Sequence, residues 1–299
     1  MGSQSCQGSS NCSNAGLYPI SFSIPSCKLS SESKEKTKIF ATIDPDNLAT
    51  YVFNDEKTYY EDYQISMFGK TKKKAGWDCL RHYEILANGC IPWFQNLDKC
   101  PEKTMTHFPK KLVLEAMDLY YNNLLTDTLY NSYLSQLLDY TKNYLTTKKM
   151  AEYILQTANI KANSILFLSQ NILPDYLRCL TLHGFKELLG DGCHDYPRIP
   201  HLYKDYVDYA NLYGKGITYS RLLETSARNN SLDLTIENDI RSHKYECVVY
   251  GSIHRGMPLW SLVNEFYKPF EIILLCGEDE HNCNFKHYSE KYPLFLREL

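Results

Sequence analysis

Two residues three positions apart, Arg81 and Glu84, are the pair in this chain best suited to chemistry. They fall in Gly76 to Phe94, GWDCLRHYEILANGCIPWF, which reads as a helix, a glycine turn and a short apolar strand bounded by proline. Residues three apart share a helix face. Leu80, Ile85 and Leu86 supply apolar positions for packing that helix on a sheet. A cation beside a carboxylate near a helix start, facing a strand end, suits a phosphorylated, hydroxyl-rich ligand. Arg81 would take a diphosphate and Glu84 the ribose hydroxyls. The bland alternative is a surface ion pair. Asp78 is placed to cap the helix, Gly89 to turn the chain tightly, and Cys90 reads as a small buried apolar residue. The basic loop before the helix offers Lys72, Lys73 and Lys74 as further phosphate contacts, against a simple solvated loop.

A second group of candidates follows the YECVVY run. The loop GSIHRGMPL carries His254, whose ordinary pKa suits a general base, and Arg255, suited to phosphate or an acidic sugar. Glu278, Asp279 and His281 follow the next apolar run as a competing set, and the residues alone do not choose among them. Asp44-Pro45-Asp46 has the Asp-x-Asp form of a metal site, but a proline-locked turn holds a metal poorly. LYGKGITYS (Leu212 to Ser220) lacks the spacing of a phosphate-binding P-loop. No C-x-x-C pair occurs, which removes the usual zinc and redox patterns.

The elements that must position these groups form two blocks. Residues 1–16, rich in Ser, Asn and Gly, are expected to be a disordered tail. YPISFSIPS is extended, Lys36 to Ile43 a strand, and Thr58 to Phe68 a helix. After Pro109 the apolar spacing is helical to Ala158, giving two or three helices that pack on the first block or bridge the two. From residue 159 strands alternate with helices: SILFLS, Cys193 to Tyr196, YECVVY and EIILLC, with helices over 174–189, 232–243 and 259–266. That alternation predicts parallel βαβ units and a Rossmann-like domain.

The Gly76–Phe94 stretch resembles the donor-site motif of exostosin-type glycosyltransferases, in which Arg precedes a Glu-Ile or Glu-Ala pair and a run ending Gly-Cys-Ile-Pro. The matching residues here are Arg81, Glu84, Gly89, Cys90, Ile91 and Pro92, and Tyr60, Tyr63, Ser66 and Phe68 suit the upstream segment. The likeness is local, over roughly residues 50–100. It implies an α/β fold with two Rossmann-like domains facing across a cleft, the glycosyltransferase B type. It also implies metal-independent, inverting transfer of a sugar from a nucleotide diphosphate to a glycan or related acceptor. Lys72, Lys74, Arg81, Glu84 and Gly89 would serve the donor. His254 or Asp279 would be the base, with Arg255 and Glu278 on the acceptor side. The donor half comes first here and second in the family, so the chain is expected to be a circular permutant. Its domains would be 17–108 for the donor, a helical connector over 109–158, and 159–299 for the acceptor, with Leu299 close to Leu17. The alternatives are a nucleotide-sugar-binding module without turnover, or an interaction protein using the tyrosine-rich helices.

Composition sets the outer limits. The 299 residues suffice for two domains, with 43% hydrophobic and 22% charged residues. A net charge of −3 argues against broad nucleic-acid binding. The 25 tyrosines read as compositional bias, although their faces can stack on sugars. No apolar run approaches the ~20 residues of a membrane span. Eleven cysteines with no apolar leader point to free thiols in a cytoplasmic protein. The start misses the myristoylation pattern because Cys6 stands where Ser or Thr is needed. No cofactor and no metal is expected.

Overall fold

Short apolar runs become strands buried on both faces, the pattern of a parallel sheet covered by helices on either side. The computed structural model describes residues 15–31, 34–170, 173–279 and 284–299. Its elements, in chain order, are β1 (Gly16–Pro19), β2 (Lys38–Phe40), α1 (Glu56–Gln64), β3 (Ser66–Lys72), α2 (Leu80–Ala87) and β4 (Ile91–Gln95). Then come α3 (Lys110–Tyr121), α4 (Asp127–Tyr144) and α5 (Thr147–Thr157). The second half holds β5 (Ile165–Leu168), α6 (Tyr176–Leu189), β6 (Cys193–Tyr196), α7 (Ile236–Arg241), β7 (Cys247–Tyr250), α8 (Trp260–Phe266), β8 (Ile272–Cys276) and β9 (Pro293–Leu296). The expected tail lies outside the described residues except for Ala15 and Gly16.

The fold is α/β, with one six-stranded sheet in the order β1-β9-β8-β7-β5-β6 and a three-stranded sheet in the order β2-β3-β4. Every strand pair is parallel. In the larger sheet, Ile165, Phe167, Val249, Ile273 and Leu275 face one core with Leu180 and Phe185 of α6. Leu166, Val248, Tyr250, Ile272 and Leu274 face the other with Ile240 of α7 and Val263 of α8. The first core also takes in Phe68 and Phe94 of the smaller sheet, Leu86 of α2, and Val113 and Leu134 of α3 and α4. One apolar interior therefore serves both sheets. α3 packs on β4, α4 on α2 and α5 along α6. Gly184 permits that last approach, because a Cβ there would lie 2.0 Å from the Thr147 carbonyl oxygen.

Several sequence expectations are corrected. Residues 66–72 are a strand where a helix end and a loop were expected, because Ser66, Phe68, Gly69 and Thr71 are buried as the middle strand of the small sheet. The helix expected over 232–243 is α-helical only from Ile236 to Arg241, preceded by a 3-10 turn over Asn230–Leu234. β1 joins the larger sheet instead of opening the 17–108 block. It runs beside β9, with Leu17 opposite Leu294. Leu299 is five residues beyond that pairing, so Leu17 and Leu299 lie within roughly 20 Å of each other.

The last residues bind the two sheets together. Arg297, 1% exposed, donates from Nη1 to the Asp78 carbonyl (2.5 Å) and to Glu298 Oε1 (2.9 Å). Glu298 accepts from the backbone N–H groups of Trp77 (3.0 Å) and Asp78 (2.9 Å), just before α2. Asp78 in turn accepts from the Phe22 N–H (2.6 Å) and the Tyr83 hydroxyl (2.7 Å). Asp78 does not cap α2: the N-cap position is Cys79, which makes no side-chain cap bond, and the Asp78 carboxyl turns inward. Removing one partner of a buried ionic cluster costs about 3–5 kcal/mol. Arg297→Met should therefore lower unfolding stability by about that amount, read as a fall in the urea midpoint at unchanged slope.

Candidate functional site

The loop after β3 and the start of α2 carry the first group of candidates. Arg81 lies over the Tyr51 ring, its guanidinium carbon 5.0 Å from the centroid. Its Nε is buried without a hydrogen-bond partner, and no carboxylate stands within ion-pair distance of it among the described residues. The surface ion pair with Glu84 does not form. Lys74 joins Arg81 at the same ring, with Nζ 5.8 Å from the centroid and 3.4 Å from the Tyr51 hydroxyl. Lys73 sits over Trp77 instead, and Lys72 is ion-paired with Asp46. Asp44 is likewise paired with Lys70 at 2.7 Å, so lysines neutralise both carboxylates of the Asp-x-Asp turn. Gly89 is in the left-handed region (φ 61°) at the far end of α2 from Arg81. Its place is the turn into β4.

Glu84 is buried and fully engaged. Oε2 accepts from the Tyr59 hydroxyl and Oε1 from Thr218 Oγ1, both at 2.6 Å. The Tyr60 hydroxyl lies 2.5 Å from the same Thr218 oxygen. Burial pushes the Glu84 carboxyl above its ordinary value, opposed by the two hydroxyls and by the Arg81 charge.

The second group gathers where the larger sheet reverses direction. β5 is followed in sequence by β6 on one side and β7 on the other, and such a switch point opens a crevice at the carboxyl ends of the strands. Asp175 caps α6 there, accepting from the Arg178 N–H at 3.1 Å. Its other oxygen receives Ser252 Oγ (2.7 Å) and Arg255 Nε (2.8 Å), with His254 Nε2 at 3.4 Å. Burial lowers the His254 imidazole, with Arg255 and Arg178 acting the same way against Asp175 and Glu278. At neutral pH the His254 imidazole is thus uncharged, with Ser252 Oγ 3.5 Å and Cys276 Sγ 3.9 Å from its Nδ1. Burial alone would raise Asp175, but Arg178, His254 and Ser252 outweigh it and hold it below the usual range.

Asp279 stands apart from this cluster, ion-paired with Arg297. Glu278 accepts weakly from Cys276 Sγ at 3.9 Å. His281 lies outside the described residues. The two groups approach each other through Tyr176, beside Asp175. Burial and then the nearby Glu84 charge push its phenol up. Tyr176 also touches Phe22, Tyr213 and Tyr219.

Sequence reasoning missed Tyr51, Tyr59, Thr218, Asp175 and Ser252. Asp175 had a signal, an acidic residue ahead of a helix that starts just after a strand. Thr218 had half of one, since Gly214 and Gly216 marked a turn. Tyr51 and Tyr59 had none among 25 tyrosines. Two surface cavities, of about 470 and 500 Å3, lie beside α1 and beside the start of α3. The first is lined by Lys28, Lys34, Lys57 and Tyr60, the second by residues between Leu97 and Leu114, and neither includes Arg81 or His254. No helix among the described residues is long and apolar enough to cross a membrane. The eight described cysteines are free. No protein-family model, curated protein or solved structure matches the chain.

His82, on α2, gives this region a pH signature. Its Nδ1 meets Thr71 Oγ1 at 2.8 Å and its Nε2 the Trp77 carbonyl at 2.9 Å. Burial lowers its pKa to about 3. Below pH ~6.5 the unfolded chain binds a proton that the folded chain refuses. The stability His82 contributes is complete above pH ~6.5 and is lost toward pH ~3, by about 1.4 kcal/mol per unit. His107 and His201, each lowered to about 4, act in the same direction. Urea unfolding between pH 6.5 and 4 should show this slope, and His82→Gln should reduce it by about 1.4 kcal/mol per pH unit.

Proposed function

We propose that this protein is a glycosyltransferase of exostosin-like type that moves a sugar from a nucleotide diphosphate to a glycan or related acceptor. The observation that carries the reading is Arg81: a guanidinium with no carboxylate partner and a buried, unbonded Nε, paired with Lys74 around Tyr51. Such a group is poised for an anion. Glycosyl transfer needs positive charge on the leaving diphosphate, and Arg81 and Lys74 supply it without a metal. Lys72 does not share this role, because Asp46 already neutralises it.

On the acceptor side His254 is the base and Arg255 the positioning cation. With Nε2 turned to Asp175, Nδ1 carries the lone pair. It takes the proton of an acceptor hydroxyl as that oxygen bonds to the anomeric carbon and the bond to the diphosphate breaks, inverting the centre. Asp279 is not the base in this scheme. In this reading the two sheets, joined at Glu298, correspond to two Rossmann-like units in permuted order, with donor and acceptor bound at their carboxyl-end loops. The meeting of β1 and β9 supports that order.

One observation favours a nucleotide-sugar-binding module without turnover: Glu84 and Asp279 are both already engaged within the chain. Donor binding with no sugar release would mark that reading. The interaction-protein reading draws on Tyr121, Leu124 and Leu129, exposed around the α3–α4 turn.

Thermal denaturation against uridine, guanosine, adenosine and cytidine diphosphate sugars tests the proposal. A donor at a hundred times its dissociation constant stabilises by about 2.7 kcal/mol, raising Tm by about 5 °C. Arg81→Met should abolish that shift while leaving the ligand-free Tm nearly unchanged. Absence of any shift with every donor would remove the glycosyltransferase reading.

A further inference from the structure

The carboxylate assigned to ribose already holds hydroxyl groups from its own chain. Tyr59 and Thr218 each place one O–H on one oxygen of Glu84, side by side, as the vicinal hydroxyls of a ribose would. Tyr59 comes from α1, next to Glu84. Thr218 arrives from the far half of the chain on residues 212–221.

That segment has an unusual backbone. Gly214 (φ 60°), Lys215 (56°), Gly216 (66°), Thr218 (72°) and Arg221 (53°) are all left-handed. Glycine adopts this region freely, but a β-branched threonine does so only when its surroundings impose it. Here the imposing contacts are Glu84 and the Tyr60 hydroxyl, and Thr218 is completely buried against them. Lys215 donates to the Phe53 carbonyl (2.8 Å) and to Asn54 Oδ1 (2.5 Å), and Ile217 leans on the small-sheet cluster of Tyr59, Tyr63 and Ile85. Behind them the segment is anchored in the larger unit, the Tyr219 ring 4.7 Å from Tyr176 of α6 and the Arg221 N–H bonded to the His201 carbonyl. The segment therefore has a fixed root and a strained tip that crosses to the other unit.

We infer that Thr218 is a latch, a stand-in for the donor's ribose that holds residues 212–221 over Glu84 until a nucleotide displaces it. This rests on the donor reading of Glu84. Displacement exchanges one hydroxyl donor for another on the same carboxylate and releases Thr218 from its left-handed conformation. The route in is short. Tyr60, bonded to the Thr218 oxygen, lines the surface cavity of about 470 Å3 beside α1.

Hydrogen exchange read by mass spectrometry on ligand-free protein tests the latch directly. Peptides covering 212–221 should exchange about tenfold faster in Thr218→Val and in Glu84→Gln, the loss expected for one charge-assisted hydrogen bond. Thr218→Ser, which keeps the hydroxyl, should match the wild type, and peptides from β5 to β8 should not change in any variant. Unchanged exchange of 212–221 in both Thr218→Val and Glu84→Gln overturns the latch, whatever nucleotides do. Equilibrium binding of uridine, guanosine, adenosine and cytidine diphosphate supplies the second arm. The diphosphate that binds should bind Thr218→Val about tenfold more tightly, because its competitor is gone. Equal or weaker binding overturns the proposal. If none of the four binds either protein while the loop is still released, the donor reading of Glu84 fails and the ribose mimicry with it.

Discussion

The buried contact of Arg297 and Glu298 with the backbone at Trp77 and Asp78 is the constraint on which the rest of the architecture depends. A carboxylate accepting two main-chain N–H groups, with a guanidinium at its side, replaces the water those groups would otherwise need. It also fixes direction. Glu298 lies just past the carboxyl end of β9, and Trp77 and Asp78 lie between β3 and α2. The contact thus brings the carboxyl-end loops of the two sheets against each other, and the groups with chemical potential all project from those ends. Gly76 belongs to the same arrangement, because a Cβ there would lie 2.4 Å from Glu298 Oε1.

Charge is distributed unevenly across this junction. Asp78, buried beside Arg297, is raised to about 6 by burial, with Arg297 and its hydrogen bonds pulling the other way. Asp279, Asp44 and Asp46 are each matched with a basic residue. Arg81, Lys73 and Lys74 have no such match among the described residues and lie over the rings of Tyr51 and Trp77 instead.

Much of the fold was legible because its physics is local. ILFL, CVVY and IILLC are too short for helices and apolar on both sides, so they had to be interior strands. The three helices after Pro109 announced themselves by spacing. SMFGKTK was harder: it carries Gly69 and two lysines, and becomes a strand only because β2 and β4 flank it. The candidate site was legible at Arg81, Glu84, His254 and Arg255, where types and spacing carry meaning. It was not legible at Tyr51, Tyr59 or Thr218. Their roles arise from contacts made across the fold, as when Thr218 meets a carboxylate 134 positions earlier. The pairing of Asp279 with Arg297 was equally invisible, because it is a matter of tertiary geometry.

The pairing of β1 with β9 has a consequence for how the chain is made. Leu17 and Leu294 are 277 residues apart in sequence yet neighbours in one sheet. β1 leaves the ribosome well before β9 and stays without that partner while the 273 residues between them are made. Contacts of such sequence separation form late, and an unpaired strand invites pairing with other chains in the interval. β9, the last strand of this sheet to be made, is the one that takes β1 in at its edge. Heterologous production should accordingly be sensitive to elongation speed between β1 and β9, even where the finished protein is stable.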